Sequence, residues 1–255
     1  MSTDDRVVVV TGAAGGLGWH VVRALADRGT RVVATDLDQD LLDERLKGVT
    51  GAAEITAVRA DLTVDAEVAG VVRAAVDRWG RVDGLSNNAA VQGAVTPFVD
   101  YPEDEMWRIF RANFLSAWLT MKHCIPIMVD HGGGAIVNTG SSLAWRGQRD
   151  IAAYVSSKHA LAGLTRCVAI EHGRHNVRAN LLCPASMDTP MLATVADNVG
   201  DGDRDLGYRR LRALSPDGRL ADPADVAAVA VYLLLDAPAH LSGVTLPVDG
   251  AETAG

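Results

Sequence analysis

The sequence predicts an α/β protein: one doubly wound domain in which a mostly parallel sheet carries helices on both faces. Three observations lead there. Apolar runs of strand length alternate with longer segments of helical period, the pattern of βαβ units with right-handed crossovers. The strand candidates are apolar without clean alternation, as strands covered on both faces are. No linker, low-complexity tract or internal repeat interrupts the 255 residues, so a single domain over 1–255 is expected.

RVVVVT at 6–11 is the first strand, and the helix after it places Val21, Val22, Leu25 and Ala26 on one apolar face before Gly29. RVVATD at 31–36 is the second strand, followed by a polar helix around 38–47. ITAVRADL (55–62) and VDGLSN (82–87) flank the helical run VDAEVAGVVRAAVDRWG. A long amphipathic stretch at about 102–130 carries Met106, Ile109, Phe110, Phe114 and Leu115 as its apolar positions. Glycines at 132–134 end it, and AIVNTGSS (135–142) leads to a helix carrying Tyr154. NVRANLLCP (176–184), a helix opened by Pro223 and a strand at VTLPVDG (244–250) complete the order. Residues 186–220 break the rhythm, being Gly- and Asp-rich and weakly periodic. Ligands bind beyond the carboxyl ends of such strands, so this insert is expected to be a mobile lid or, failing that, a disordered surface loop.

Bulk properties narrow the partners. The net charge of −8 gives no basic field for nucleic acid or an anionic membrane. Apolar runs such as VVVV at 7–10 and VYLLL at 231–235 fall far short of the roughly 20 residues a span needs. The opening MSTDDR lacks a signal peptide's basic and apolar regions. Cys124, Cys167 and Cys183 are odd in number and not at metal-ligand spacings, so three buried reduced thiols and no metal are expected. Together these suggest a cytoplasmic protein.

Three motifs carry chemistry. T-G-A-A-G-G-L-G at 11–18 sits between a strand and a helix and lacks the Lys-Ser/Thr of a nucleoside-triphosphate loop. Its glycines permit a tight turn and close approach of a dinucleotide's phosphates to a helix N-terminus. Asp36, ending the second strand, is placed to accept the adenosine ribose hydroxyls. It would repel a 2′-phosphate, and no Arg stands at 13–15 or 37 to offset it, so NAD is expected over NADP. Tyr154 and Lys158 lie one helical turn apart. A phenol is a poor base at neutral pH, but a neighbouring ammonium lowers its pKa, and the chain has only two other lysines, Lys47 and Lys122. Ser141, thirteen residues before Tyr154, could hold a substrate oxygen.

Across nearly its whole length the chain resembles the short-chain dehydrogenase/reductase family. The matching pieces are T-G-x-x-x-G-x-G at 11–18, D-L at 61–62, N-N-A at 87–89, Asn113, Ser141, Y-x-x-x-K at 154–158, and the segment from Pro184 to Met191. The resemblance implies a Rossmann-type sheet of about seven parallel strands and reversible NAD(P)-linked oxidoreduction of an alcohol or carbonyl substrate. By position it makes Tyr154 the acid/base and Lys158 the group that lowers its pKa and holds the nicotinamide ribose. Ser141 orients the substrate oxygen, and Asn113 supports a water-linked proton relay from Lys158. Gly12, Gly16, Leu17, Gly18 and Asp36 would bind the cofactor, Asp61 and Leu62 would flank the adenine, and Asn88, Ala89 and Thr189 would line the rest of its groove. A homotetramer (or homodimer) packed through 102–130 and 152–172 is also implied.

The chain departs from the family pattern at Ala90 and Ala185, which stand where glycines are usual, and at Trp19, bulky for its position and expected to pack on a neighbouring helix. Gln92, Trp145, Gln148 and Met187 are expected pocket walls, and Arg146 or Arg149 could hold an anionic group. Two other function classes remain to be separated. A non-catalytic NAD-binding regulator would use the same scaffold, and an S-adenosylmethionine site would use the Gly-rich turn and Asp36 but leave Ser141, Tyr154 and Lys158 without a task.

Overall fold

Seven parallel strands form the core of the protein in a computed structural model that describes residues 5–49 and 53–254. Most of MSTDDR therefore lies outside the described residues. The strands are β1 (Val7–Thr11), β2 (Arg31–Asp36), β3 (Ile55–Arg59), β4 (Gly84–Asn87), β5 (Gly134–Thr139), β6 (Val177–Pro184) and β7 (Thr245–Val248), in spatial order β3-β2-β1-β4-β5-β6-β7. The helices are α1 (Gly16–Ala26), α2 (Gln39–Leu46), α3 (Asp65–Trp79), α4 (Glu103–Phe110), α5 (Ser116–Asp130), α6 (Ala152–His172), α7 (Pro190–Val199), α8 (Arg204–Arg212) and α9 (Pro223–Leu235).

Two-sided cover explains the four consecutive valines of the first strand. Val7 and Val9 join the cluster formed with α3, α5 and α6, including Val68, Val71, Met121 and Leu161. Val8 and Val10 point the other way, onto Val21, Leu25, Val226 and Val231 of α1 and α9. Alternating side chains of one strand thus feed two cores, and neither face tolerates a polar residue. Winding reverses between β1 and β4, which opens a crevice at their carboxyl ends.

Local chemistry sets the helix starts. Asp38 caps α2 by accepting the Leu41 N–H at 3.0 Å, Asp203 caps α8 through Leu206 at 3.0 Å, and Asp222 caps α9 through Ala224 at 2.8 Å, with Pro223 next. Inside, a polar bridge ties β4 and β5 to α5 and α6. Asn87 Nδ2 donates to Asn138 Oδ1 at 2.8 Å, Thr120 Oγ1 donates to Asn87 Oδ1 at 2.8 Å, and Asn138 Nδ2 donates to Thr165 Oγ1 at 2.9 Å. Every buried group in that chain is paired, which fixes the register of the strands beneath the crevice.

Three expectations are corrected here. The stretch at 102–130 is interrupted by a π turn at Arg111–Leu115, where the Ser116 N–H reaches back to the Arg111 carbonyl; such widened turns concentrate at functional sites. The 186–220 insert is two helices, α7 and α8, with a small core of Leu192, Ala196 and Leu211. Its glycines misled the periodicity because they serve packing: a Cβ on Gly207 would lie 1.9 Å from the Ala196 carbonyl oxygen. Cys124 and Cys183 are buried thiols, but Cys167 is exposed. Among the described residues, no helix is long and apolar enough to cross a membrane.

Candidate active site

A cavity of about 590 Å³ opens at the switch point and runs from the α1 N-terminus to α7 and α8. Gly12, Gly16, Leu17, Gly18, Asp36, Asp61, Leu62, Asn88, Ala89, Ser141, Tyr154, Lys158 and Thr189 all line it. Asn113 does not, but it is 1% exposed directly behind the wall.

At one end the wall is mostly backbone. Gly12 has φ 60°, and a Cβ there would sit 2.8 Å from the Ala89 nitrogen. A Cβ on Gly18 would lie 2.1 Å from the Gly12 carbonyl oxygen. The turn therefore exists only with glycine at these positions, and it brings the uncapped first turn of α1 to the cavity. Thr11 joins the strand ends, its hydroxyl accepting the Asn88 and Ala89 N–H groups at 3.0 and 3.2 Å. Asn88 completes the joint, Nδ2 donating to the Thr11 carbonyl at 3.2 Å and Oδ1 accepting from the Thr139 hydroxyl at 2.8 Å.

Asp36 uses one carboxylate oxygen to accept the Ala14 N–H at 2.9 Å and the other to accept the Leu37 N–H at 2.8 Å. It thereby holds the Gly-rich turn as well as facing the cavity. Arg45, which the sequence reading passed over, lines the same end, and its buried Nε has no hydrogen-bond partner among the described residues. Asp61 accepts the Thr63 N–H at 2.9 Å and hydroxyl at 2.7 Å, and these bonds pull its carboxyl below the usual range. An extended dinucleotide needs backbone N–H groups for phosphate, acceptors for ribose and a flat apolar slot for adenine. This end supplies all three, so its residues fit such a cofactor.

Chemistry-bearing side chains converge further along. Lys158 is 2% exposed, donates from Nζ to the Thr139 carbonyl at 2.8 Å and lies 5.6 Å from the Tyr154 ring centre. Burial lowers its pKa to about 8. Burial raises the Tyr154 phenol, and a hydrogen bond with the Ser141 hydroxyl offsets part of that rise. Desolvation of the phenol therefore outweighs the lowering expected from Lys158.

Asn113 sits in the π turn. Its Oδ1 accepts the Val91 N–H at 2.8 Å, and its Nδ2 donates to the Val91 carbonyl at 3.0 Å and to Ser157 Oγ at 3.1 Å. Ser157 in turn donates to the Tyr154 carbonyl at 2.7 Å. The side chain is thus fully committed to fixing the 91 loop against α6, and it does not reach Lys158.

Gln92, Gln148 and Met187 line the cavity as expected, whereas Trp145 is not part of its wall and is 39% exposed. Arg146 does not present a free positive charge, because it is paired with Glu252; Arg149 is exposed. Neither Ala90 nor Ala185 has positive φ, so their methyl groups impose no backbone strain. Trp19 reaches the end of α2, its ring 3.9 Å from where a Gly48 Cβ would be. Glu252, Thr11, Thr139 and Arg45 were not singled out from sequence. Thr11 opens the Gly-rich motif at 11–18 and Thr139 lies within AIVNTGSS at 135–142, while nothing near Glu252 in the chain marks it.

Comparisons with known proteins agree with this geometry. The family described as "Enoyl-(Acyl carrier protein) reductase" matches residues 12–251. Levodione reductase from Leifsonia aquatica is 30% identical over 98% of this chain and 95% of its own length. Its crystal structure superposes with a TM-score of 0.95, covering 98% of both chains. The 2,5-dichloro-2,5-cyclohexadiene-1,4-diol dehydrogenase of Sphingobium indicum is 33% identical over 98% of this chain and 97% of its own. NAD+-bound xylitol dehydrogenase is 29% identical with a TM-score of 0.92, over 97% of this chain and 99% of its own.

Proposed function

This chain belongs to the short-chain dehydrogenase/reductase family and is a nicotinamide-dependent oxidoreductase of hydroxyl and keto groups; on that premise we propose how its own residues divide the work. The observation that carries the proposal is that Ser141, Tyr154 and Lys158 share one cavity with the Gly-rich turn and Asp36. The non-catalytic and methyl-donor alternatives find no support in relatives named as dehydrogenases and reductases.

A nicotinamide cofactor bound in this cavity would supply the hydride acceptor for alcohol oxidation and the donor for ketone reduction. Ser141 holds the substrate oxygen by a hydrogen bond. Tyr154 Oη takes the hydroxyl proton in oxidation and returns it in reduction. Lys158, cationic below about pH 8, stabilises phenolate and anchors the nicotinamide ribose. Asn113 fixes the loop at Val91 and the α6 backbone at Tyr154 through Ser157. It is a positioning residue, so we place the proton relay from Lys158 on water and main chain at the π turn. Gly12, Gly16, Leu17 and Gly18 seat the pyrophosphate, Asp61 and Leu62 flank adenine, and Asn88, Ala89 and Thr189 line the nicotinamide half.

We further propose NAD over NADP, since the Asp36 carboxylate in the cavity wall would repel a 2′-phosphate; Arg45 tempers that preference. The substrate is a medium-sized secondary alcohol or ketone. The chain acts as one domain in the cytoplasm. Exposed Trp107, Trp118 and Ile170 on α4, α5 and α6 support assembly as a homotetramer through those helices. A panel of secondary alcohols and ketones followed at the NADH absorbance band, with NAD and NADP side by side, tests the assignment. NAD-linked turnover that disappears in Tyr154→Phe is expected; full turnover in that variant sinks the acid/base role.

A further inference from the structure

The substrate end of the cavity holds a carboxylate that the mechanism does not use. Glu252 follows β7 in the carboxyl-terminal tail, lines the same cavity as Ser141 and Tyr154, and has a side chain only 3% exposed. A built turn puts it there. Asp249, itself buried, accepts the Ala251 N–H on Oδ1 at 3.1 Å. Its Oδ2 accepts the Thr253 N–H at 3.1 Å and the Thr253 hydroxyl at 2.5 Å. Gly250 and Ala251 are both left-handed, with φ of 58° and 69°. An alanine in that region is strained, and such strain persists where the surroundings impose it, most often beside functional sites.

Inside the cavity Glu252 Oε1 accepts the Ser142 hydroxyl at 3.2 Å and pairs with Arg146 Nη2. Both contacts fall on one oxygen, and among the described residues Oε2 receives no hydrogen bond. Arg146 already balances the charge, so the missing element is a donor and not a second cation. Ser142, whose hydroxyl reaches Glu252, is the chain neighbour of Ser141, their Cα atoms about 3.8 Å apart. Leu143, Ile151 and Met191 line the same cavity. A substrate filling it strips water from Oε2, which is unfavourable unless the substrate brings a donor of its own. A simple alcohol leaves Oε2 unpaired, whereas a second hydroxyl pairs it, and sites built this way reject analogues that lack the hydroxyl.

We propose that Glu252 is a specificity-determining residue that accepts a hydrogen bond from a second hydroxyl of the substrate, so that diols and hydroxyketones are preferred over monofunctional alcohols. Ser142 and Arg146 hold the carboxylate in place. The proposal rests on the oxidoreductase assignment of the cavity, and the test separates the two. Initial rates with NAD are measured for cyclohexanol, cyclohexane-1,2-diol and cyclohexane-1,4-diol with the wild-type protein, Glu252→Gln and Glu252→Ala. The better diol is expected to exceed cyclohexanol in kcat/KM in the wild type. That ratio should fall about 10–100-fold in Glu252→Ala, mainly through KM, because the contact exists in ground and transition states alike. Glu252→Gln, which keeps a carbonyl acceptor, should fall between them and carries the test if the alanine variant does not fold. In parallel, the diol should raise the thermal midpoint of the NAD-saturated wild type more than that of either variant. Equal preference in the wild type, a ratio within twofold in both variants, or equal midpoint shifts overturns the role of Glu252 and leaves the oxidoreductase assignment standing. Absence of turnover with every alcohol and ketone of the wider panel overturns that assignment instead.

Discussion

The two ends of the cavity are made of different material. The cofactor end is backbone held by glycines whose added methyl groups would collide with main chain, and by polar side chains that bond main chain or one another: Thr11 accepts the Asn88 N–H, Asp36 accepts the Ala14 N–H, and Thr139 donates to Asn88 Oδ1. The substrate end is side chains from segments far apart in sequence: Gln92, Leu143, Met187, Leu211, Glu252. Its helices α7 and α8 rest on a cluster of three buried residues of their own. One end can hold a single class of ligand; the other can be rebuilt by substitutions that leave the strands untouched. Reaction type belongs to the first and substrate choice to the second.

The sharpest way to test that division is to remove the group standing between the ends. Tyr154→Phe keeps the ring beside Lys158 but deletes the hydroxyl we propose as the proton carrier. We expect kcat to fall about 10³-fold, with the Kd for NAD, measured by fluorescence titration, within about twofold of wild type. Gly18→Ala should act on the cofactor end alone. Its Cβ would sit 2.1 Å from the Gly12 carbonyl oxygen, so the turn must open. A loss of about 1–3 kcal/mol in stability is expected from the overpacking, together with at least about tenfold weaker NAD binding. Unchanged NAD affinity would show that the turn does not seat the dinucleotide.

The same contrast explains what was legible in the sequence. The strands and the Gly-rich turn could be read because their constraints are local: two-sided burial writes VVVV, and a turn that excludes Cβ writes glycine. Tyr154 and Lys158 were legible through their four-residue spacing on a helix. The π turn at Asn113 was not, since a single widened turn leaves the apolar period of 102–130 nearly intact. The insert at 186–220 was misjudged for the opposite reason: Gly200 and Gly207 read as loop residues, yet they let α7 and α8 approach closely. Glu252 and Arg146 stand 106 positions apart, and no local pattern joins them. The direction of the Tyr154 shift was also beyond a spacing argument, because burial depends on everything packed around it.

Charge gives two intermediate effects. Asp36→Ala removes the carboxylate while Arg45 remains on the same wall. The ratio of kcat/KM for NAD over NADP should drop about tenfold, as expected when a repulsive group is deleted and an attractive one stays; an unchanged ratio would show that Asp36 does not select the cofactor. For pH, Lys158 has its pKa lowered to about 8 by burial and is cationic below that value and neutral above it. The phenol is shifted upward, so it remains protonated and able to donate at neutral pH. Ketone reduction should therefore hold steady up to about pH 8 and decline beyond it, as the cation that stabilises the nascent phenolate loses its charge. Alcohol oxidation, which needs the phenolate, should rise toward alkaline pH. Lys158→Met should abolish the break in the reduction profile.

The smallest effect should come from loosening the substrate end. Leu211 is 5% exposed, packs on Leu192 and Ala196, and also faces the cavity. Truncating a buried leucine in a main core costs about 2–5 kcal/mol. At Leu211 the loss falls on a pair of helices that can open without the sheet, so global stability should change by about 1 kcal/mol or less. Leu25, fully buried between α1 and the sheet, provides the contrast: Leu25→Ala should lower the thermal midpoint several-fold more than Leu211→Ala. Substrate KM should respond in the reverse order, rising about 3–10-fold in Leu211→Ala with NAD affinity intact, because its side chain closes the substrate end while Leu25 touches neither ligand. If the two variants lower the midpoint equally, α7 and α8 unfold with the sheet. The two ends of the cavity would then be one cooperative unit, and substrate preference could not be altered without a loss of global stability.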